Sequence, residues 1–363
     1  MTPKEVQMMV KRGQEIVKQK LQGLDFRGLD LSGGMFAETD FSGADLSGAK
    51  LNGSVFLTCR LTDAVLERAA VDQCNFHGGE AVGAKMAGAT MNAASFHGIA
   101  LMDACFDGVE AEVIGISNCD LSGASFRELT CEMLVFYKAR LDRVDFSDSL
   151  LQGTTFYQAD LRTANFARCR FDAAIFTESD LTGQAFGGQT FKGCQFTDAN
   201  LSGCDFDGAT LNHCNFKGAR LEGGSLRRVT APQSIFVEAN LSGVAFNGGD
   251  FMQSMWVDAR LPQADLSGAN LEQCVFHRAQ CGGANFSASQ LTYADFSYAD
   301  LHDADFRGAT LMRTKVHRAV LEGTQFSDRG GLLLKDPALF DAEEFSARRP
   351  RHRDMRQKPN RSE

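Results

Sequence analysis

The sequence predicts an all-β solenoid, in which the chain turns a corner after every short extended segment. The first observation is that 62 consecutive positions spaced five apart, from Leu21 to Phe326, are apolar; 27 of them are Phe and 24 are Leu. We call these positions centres. A period of five fits neither an α-helix, at 3.6 residues per turn, nor a flat strand, at two. The second observation is that Asp or Asn commonly precedes a centre and that Ser, Thr or Gly commonly follows it, which suits turns.

The repeat unit reads Ala-(Asp/Asn)-(Leu/Phe)-x-x, as in residues 44–48, 199–203 and 304–308. This unit resembles that of the pentapeptide-repeat family, and the likeness extends over about 84% of the chain. The resemblance implies a right-handed quadrilateral β-helix with four pentapeptides in each 20-residue coil. The 62 units then make about 15 coils, whose backbones pair at roughly 4.8 Å.

A 20-residue coil arranges the centres in four columns, and we name each wall after the first centre of its column. The Leu21 wall contains mostly Leu, whereas the Phe26 and Phe36 walls contain mostly Phe. We therefore expect aromatic ladders on two opposed walls, and each buried Phe or Leu should contribute roughly 1.5–3 kcal/mol. Residues 81–91 and 109–131 depart from the pattern, and whether they bend the rod is left open.

Both ends of an open solenoid need caps, because unpaired strand edges invite association. Residues 1–20 are predicted to be a capping helix that begins with a Thr2–Glu5 capping box and covers the first coil with Val6, Met9, Val10, Ile16 and Val17. Residues 21–326 are the β-helix. Residues 327–345 form a C-terminal cap with a short helix from Asp336-Pro337, closed by Leu332, Leu333, Leu334, Phe340 and Phe345. Residues 346–363 are expected to be a disordered basic tail.

The composition favours a cytoplasmic protein without a membrane span. No apolar run reaches 18 residues, and the N-terminus lacks the apolar core of a signal peptide, although secretion without such a signal stays open. The net charge is −9, with about −14 in residues 21–326. Nucleic acid is therefore not an expected partner, despite the basic tail.

The sequence contains no pattern that indicates catalysis, so we expect no catalytic, cofactor-binding or metal-binding residues. Eight of the eleven cysteines lie two residues before a centre, where the other residues are mostly small, so they are interpreted as buried structural thiols. His77 and His97 are 20 residues apart and should stack about 5 Å apart on one wall. Two such side chains without a nearby Cys or carboxylate make a poor metal site.

The outward positions on either side of each centre predict one adhesive wall. The Leu21, Phe26 and Leu31 walls carry 15, 14 and 11 charged residues there, and the Phe36 wall carries 3. A charge-poor apolar strip indicates an interface with a partner protein or a second copy, although β-branched residues also suit a strand face. The candidate interface residues are Val55, Leu57, Val135, Tyr137, Tyr157, Ile175, Ile235, Val237, Met255, Val257 and Val275.

These observations favour a non-enzymatic interaction scaffold or adaptor. The opening, with Glu5, Val6, Val10 and Gly13 followed by residues 23–31 (GLDFRGLDL), resembles pentapeptide-repeat proteins associated with bacterial type VI secretion, which implies a role accessory to effector delivery. The alternative is a DNA mimic that modulates a type II topoisomerase, as the resemblance to quinolone-resistance pentapeptide proteins implies. Interleaved arginines and the absence of loops that interrupt the coils count against it.

Overall fold

The computed structural model describes residues 1–348, which form a parallel β-solenoid of about 16 turns with a helix at each end. The helices are α1 Pro3–Lys11 and α2 Pro337–Arg348. The strands are β1 Ile16–Val17, β2 Met35–Ala37, β3 Val55–Leu57, β4 Asn75–His77, β5 Ala94–His97, β6 Glu110–Ser117, β7 Thr130–Tyr137, β8 Leu150–Gln152, β9 Thr155–Tyr157, β10 Arg170–Asp172, β11 Thr190–Lys192, β12 Thr210–Asn212, β13 Asp305–Phe306, β14 Thr314–Lys315, β15 Gln325–Phe326 and β16 Leu332–Leu333.

Backbone hydrogen bonds between successive coils set the 20-residue period. The Leu46 N–H donates to the Val65 carbonyl at 2.7 Å, and the Asp45 N–H donates to the Leu24 carbonyl at 2.9 Å. At the corner, the Asp45 carboxylate accepts the Ser47 N–H at 3.0 Å, and Gly48 adopts a φ of 63°, which glycine reaches at low cost. The turn chemistry predicted from the repeat is thus present.

The centres form the core, and the predicted aromatic ladders are confirmed. Phe56, Phe76 and Phe96 of the Phe36 wall stack with ring centroids 4.7 Å apart, and Phe106 and Phe126 of the opposite Phe26 wall stack at 4.6 Å. The two ladders meet edge to face across the interior, since Phe96 and Phe106 are 5.8 Å apart at 89°. Aromatic packing therefore ties opposite walls together along the rod.

Where Ser, Thr or Cys stands two residues before a centre, it commonly has a polar role that the sequence did not reveal. Ser54 donates its hydroxyl to the Leu31 carbonyl at 3.0 Å, and the Cys74 thiol lies 2.8 Å from the Leu51 carbonyl. In both cases the acceptor belongs to a centre 23 residues earlier. Ser, Thr and Cys recur at this position because each is small and also supplies a donor to the preceding coil.

β6 and β7 run straight through the corner between the Leu31 and Phe36 walls, and each is eight residues long. They pair in register from Glu110↔Thr130 to Ser117↔Tyr137. The stretch at 109–131 therefore widens one face without interrupting the ladder. Ala81, Met86 and Met91 are fully buried, and coil pairing continues through them at Lys85↔Cys105.

The N-terminal cap is shorter than predicted. The Thr2 capping box is confirmed, and Val6 and Val10 are buried, but α1 ends at Lys11 and not near Lys20. Ile16 and Val17 belong instead to β1, which pairs with Phe36 and Ala37 of β2, so Val17 is exposed and does not cover the first coil. The left-handed backbone at Gly13 (φ 67°) follows the helix end. This early strand helps to explain why the rod has about 16 turns and not 15.

The C-terminal end is built differently from the predicted cap. α2 does begin after Asp336, whose carboxylate accepts the N–H groups of Ala338 and Leu339. However, only Leu332 of the five predicted closing residues packs against the core, because Leu333, Leu334, Phe340 and Phe345 are exposed. Helix α2 includes residues 346–348 of the predicted tail; residues 349–363 lie outside the described part of the chain.

Candidate functional site

The Phe36 wall is a ladder of outward side chains that runs along the rod. Strands β1–β7 and β9 build its first half, and isolated bridges such as Thr155↔Ile175 and Ile235↔Met255 continue it. All eleven candidate interface residues lie on this wall beside buried centres, and none of them is buried. Val55, Leu57, Tyr137, Tyr157 and Met255 are exposed, and the other six are half-buried.

The apolar side chains of this wall fall into three groups separated by polar coils. The first group is Met35, Val55 and Leu57; the second is Val135, Tyr137, Tyr157 and Ile175; the third is Ile235, Val237, Met255, Val257 and Val275. The polar coils carry Asn75, His77, Ser95, His97 and Ser117 on one side, and Gln195, Thr197, Asn215 and Lys217 on the other. The wall therefore offers three apolar contact areas rather than one continuous strip.

A shallow depression lies between the first and second groups. It is lined by Asn75, His77, Ser95, Phe96, His97, Gly115, Ile116, Ser117, Val135 and Tyr137. Gly115 leaves open space where a side chain would stand, and the His77 and His97 rings stack 5.0 Å apart at one side, as predicted. The His97 ring is held in place because its Nδ1 lies 2.8 Å from the Ser117 hydroxyl.

Three further apolar residues belong to this surface. Met35 is 51% exposed at the start of the wall, and Val113 and Met133 are 40% and 49% exposed at the adjoining corner. The corner residues point outward because β6 and β7 replace a turn with extended chain. The signal in the sequence was the loss of turn residues in 109–116, where Glu112 and Val113 occupy the corner; it indicated a departure but not its form.

Helix α2 lies against the far end of the same wall. The Glu343 carboxylate accepts the Tyr298 hydroxyl and the Arg318 guanidinium (Nε at 2.6 Å), and it is 3.3 Å from His317 Nε2. Hydrogen bonds from Tyr298 and Arg318 lower the pKa of Glu343 to about 2. His317 is 2% exposed, and its Nδ1 accepts the Asp336 N–H at 3.1 Å. The helix thus covers the coil of His317.

Arginines neutralise many carboxylates on the other walls. Arg27 forms a two-pronged pair with Asp25, and its hydrogen bonds lower the pKa of Asp25 to about 2. Arg162 pairs with Asp160 in the same way; Arg278 pairs with Asp258 of the preceding coil, at the corner that follows the Phe36 wall. Opposite charges therefore alternate over these surfaces, which differ in kind from the Phe36 wall.

The cysteine thiols, apart from that of Cys105, occupy interior positions of the repeat and do not form a reactive site. Ten of the eleven cysteines are buried and Cys105 is half-buried; all are free thiols. Burial raises the pKa of Cys59 to about 11 and that of Cys204 to about 12. Within residues 1–348, no three His, Cys, Asp or Glu side chains converge as a metal site would require. No helix in that range is both long and apolar enough to cross a membrane.

These coils, centres and Asp-capped corners define the class of quadrilateral β-solenoids built from five-residue units. Three models of pentapeptide repeats match the chain: one at residues 139–216 and 209–286, one at 18–48 and 39–78, and one at 266–310. Together they account for well over half of the sequence. The chain belongs to the pentapeptide-repeat family.

Solved structures of the same kind align along the rod. HetL, a pentapeptide repeat protein involved in heterocyst differentiation regulation from Nostoc sp. strain PCC 7120, shares 19% identity over 91% of this chain and 98% of its own, with a TM-score of 0.28. QnrB1, a plasmid-mediated fluoroquinolone resistance protein, shares 18% identity over 58% and 90%, with a TM-score of 0.32. Because these TM-scores are low, the family assignment depends on the repeat models. No match is found among curated proteins.

Proposed function

We propose that this protein is a non-enzymatic scaffold that binds another protein along its Phe36 wall. The observation that carries the proposal is the contrast between walls: three apolar groups and few charges on one side of the rod, and charged side chains on the others. An exposed apolar face with a polar surround is typical of a protein interface. The stacked coils hold this face at a regular spacing, so a partner meets a preformed surface.

The chemistry of the repeat supports a binding role rather than a catalytic one. Asp side chains that precede centres accept backbone N–H groups of the turns, as Asp120 does from Ser122 at 3.0 Å. Burial raises the pKa values of Cys59 and Cys74, which disfavours the thiolate that a nucleophile needs. The Asp and Cys side chains therefore stabilise the coils.

The adaptor role in type VI secretion is a narrower form of this proposal. It depends on the opening residues, and each of them also has a local structural role. Glu5 completes the capping box, Val6 and Val10 pack on the core, and Gly13 allows the turn after α1. The comparisons add no support for the secretion link. Binding of a purified spike or effector protein to the wall would favour it, and binding only to unrelated partners would reject it.

A topoisomerase-binding DNA mimic is the second candidate, favoured by the acidic balance of residues 21–326. The arginine pairs at Asp25, Asp160 and Asp258 interrupt any stripe of free carboxylates. A gyrase supercoiling assay with the full chain separates the two functions. Inhibition or protection at micromolar protein favours the mimic, and no effect favours the scaffold.

The Phe36 wall can be tested with a matched pair of triple variants. Ile175→Lys, Ile235→Lys and Val237→Lys place three charges on the wall; Val65→Lys, Val82→Lys and Met102→Lys place three on half-buried outward positions of the Phe26 and Leu21 walls. We expect the first set to abolish association and the second to leave it intact, because a partner must desolvate only the wall charges. Light scattering and pull-down measure this. Equal effects of both sets would reject the proposal.

A further inference from the structure

The outward side chains of the Phe36 wall follow the same order from either end of the stretch Met35–His277. The coil of Thr155 and Tyr157 lies at the middle, within the second apolar group, and the first and third groups lie at similar distances on either side. We propose that this wall pairs with the Phe36 wall of a second copy, with the two rods antiparallel and the two-fold axis at Thr155 and Tyr157. This inference rests on the proposed function, because it names the partner for the same surface.

Two-fold symmetry dictates which residues meet. The two-fold axis of an antiparallel pair runs along the strand direction, between the two walls. It reverses the order of coils in the second copy, and each outward column faces the same column of that copy. Val55 then faces Met255 of the second copy, and Leu57 faces its Val257. In the middle, Val135 faces Ile175 of the second copy. Tyr157 lies on the axis and faces the same residue of the other chain.

The polar coils also match in this register. Ser95 faces Asn215 of the second copy and Gly115 faces its Gln195, so the longer amides stand over the depression that the small residues leave. Ser117 likewise faces Thr197. The coil of Asn75 and His77 is an exception, because it faces Ile235 and Val237 of the second copy. Shape and polarity therefore agree over most of the paired surface, which is what an isologous interface requires.

The charge pattern permits this pairing at little cost. Between Met35 and His277 the two outward columns carry one formally charged residue, Lys217, and it faces His97 of the second copy. Burying unpaired charges is the main penalty for bringing two surfaces together. A wall that is almost free of charge over this length avoids that penalty, whereas the Leu21 wall does not.

Helix α2 distinguishes antiparallel from parallel pairing. In a parallel pair each coil faces the same coil, so the α2 helices of both copies lie at one level, over the coil of His317. A helix is about 10 Å across, the distance at which two packed sheets lie, so it would hold the walls apart. In the antiparallel register Val275 faces Met35, and the coil of His317 lies beyond the partner's first strand. Each α2 then lies outside the stretch Met35–His277 that pairs.

The contact area is sufficient for a specific dimer. At about 4.8 Å per coil the stretch from Met35 to Val275 is roughly 58 Å long, and three strand residues make it roughly 10 Å wide. Two such faces bury roughly 1,200 Å² in total, at the lower end of stable protein interfaces. We therefore expect a dimer that forms and dissociates with protein concentration.

Sedimentation of the full chain tests whether the pair exists, and cysteine cross-linking tests its register. The 39.5 kDa chain should approach twice that mass as its concentration rises. With a short bismaleimide thiol cross-linker, which can span the roughly 10 Å between facing sheets, Tyr157→Cys should cross-link to itself, because it lies on the axis. Val55→Cys and Met255→Cys should each fail alone and cross-link when mixed. These side chains are exposed, so the substitutions should leave the fold intact.

The wild-type chain is the control for background cross-linking, since its own thiols are buried or half-buried. A chain that stays monomeric at all concentrations overturns the pairing, as does cross-linking of Val55→Cys to itself, which a parallel dimer would give. The chain could also stay monomeric and bind a different purified protein through this wall, with the binding lost in the Lys variant. That result would support the proposed function and reject this inference. Unchanged dimerisation of the Lys variant rejects the inference.

Discussion

The helices at the two ends of the rod are held in place by different interactions. At the N-terminal end, α1 places Val6 and Val10 over the first coil, and Leu21, Phe26 and Leu31 are fully buried. At the C-terminal end, Leu321 and Phe326 are half-buried, and α2 lies on the flank, held by Glu343 and Asp336. One end is sealed by apolar burial and the other is clamped by polar bonds. The comparison teaches that a helix at the end of a solenoid need not close it.

A matched pair of core variants gives the largest expected effect. Phe26 and Phe326 belong to the same column, in one of the first coils and in the last regular one. Phe26→Ala should cost about 3–5 kcal/mol, because a fully buried ring leaves a cavity. Phe326→Ala should cost less than half as much, since that ring is half-buried and packs partly under the Arg329 guanidinium at 4.8 Å. Urea unfolding followed by circular dichroism measures both; equal losses would contradict the contrast between ends.

The capping box of α1 should contribute less than the core beneath it. Thr2→Ala removes the hydroxyl that accepts the Glu5 N–H, and we expect a loss of about 1 kcal/mol. Thermal unfolding of this variant, with exposed Lys4→Ala as its control, checks the value. An unchanged midpoint in Thr2→Ala would mean that apolar contact alone holds α1 in place.

We call the contacts of Glu343 with Tyr298, His317 and Arg318 the clamp of α2. Removing this clamp should have the smallest effect on global stability and the largest on the stability of α2 itself. Glu343→Gln keeps the shape but removes the charge that binds Arg318, so hydrogen exchange in residues 337–346 should rise while the coils stay protected. Tyr298→Phe should raise the exchange of α2 less, because it removes only one of the donors to Glu343. Equal exchange in the variant and the wild type would show that the carboxylate does not hold the helix.

The same clamp should depend on pH with a definite sign. The pKa of Glu343 is lowered to about 2, below its ordinary value of 4.5, so its charge favours the docked helix at neutral pH. This contribution is fully present above the ordinary value and is lost as the pH falls from about 4.5 toward 2. Hydrogen exchange of α2 at pH 7 and pH 3 checks it, and Glu343→Gln should lack this part of the response.

The sequence predicted the regular parts of the molecule well. The centres, the aromatic ladders, the Asp-centred turns and the Thr2 capping box all follow from local patterns that repeat or match a known cap. The prediction that α1 extends to Lys20 was wrong, because Ile16 pairs with Phe36 across a 20-residue coil and a strand replaces the last helical turns. The candidate interface residues lie on one wall as predicted, while their role in binding stays a prediction.

By itself, the sequence determined which side chains face inward and which wall is poor in charge, because a strict period of five assigns every residue to a column and a face. Only the tertiary structure decided that β6 and β7 cross a corner, which exposes Val113 and Met133, and that α2 docks beside His317 instead of closing the end. These features depend on contacts between residues that occur once. A repeat encodes what recurs, and a single contact between distant segments leaves no periodic signal.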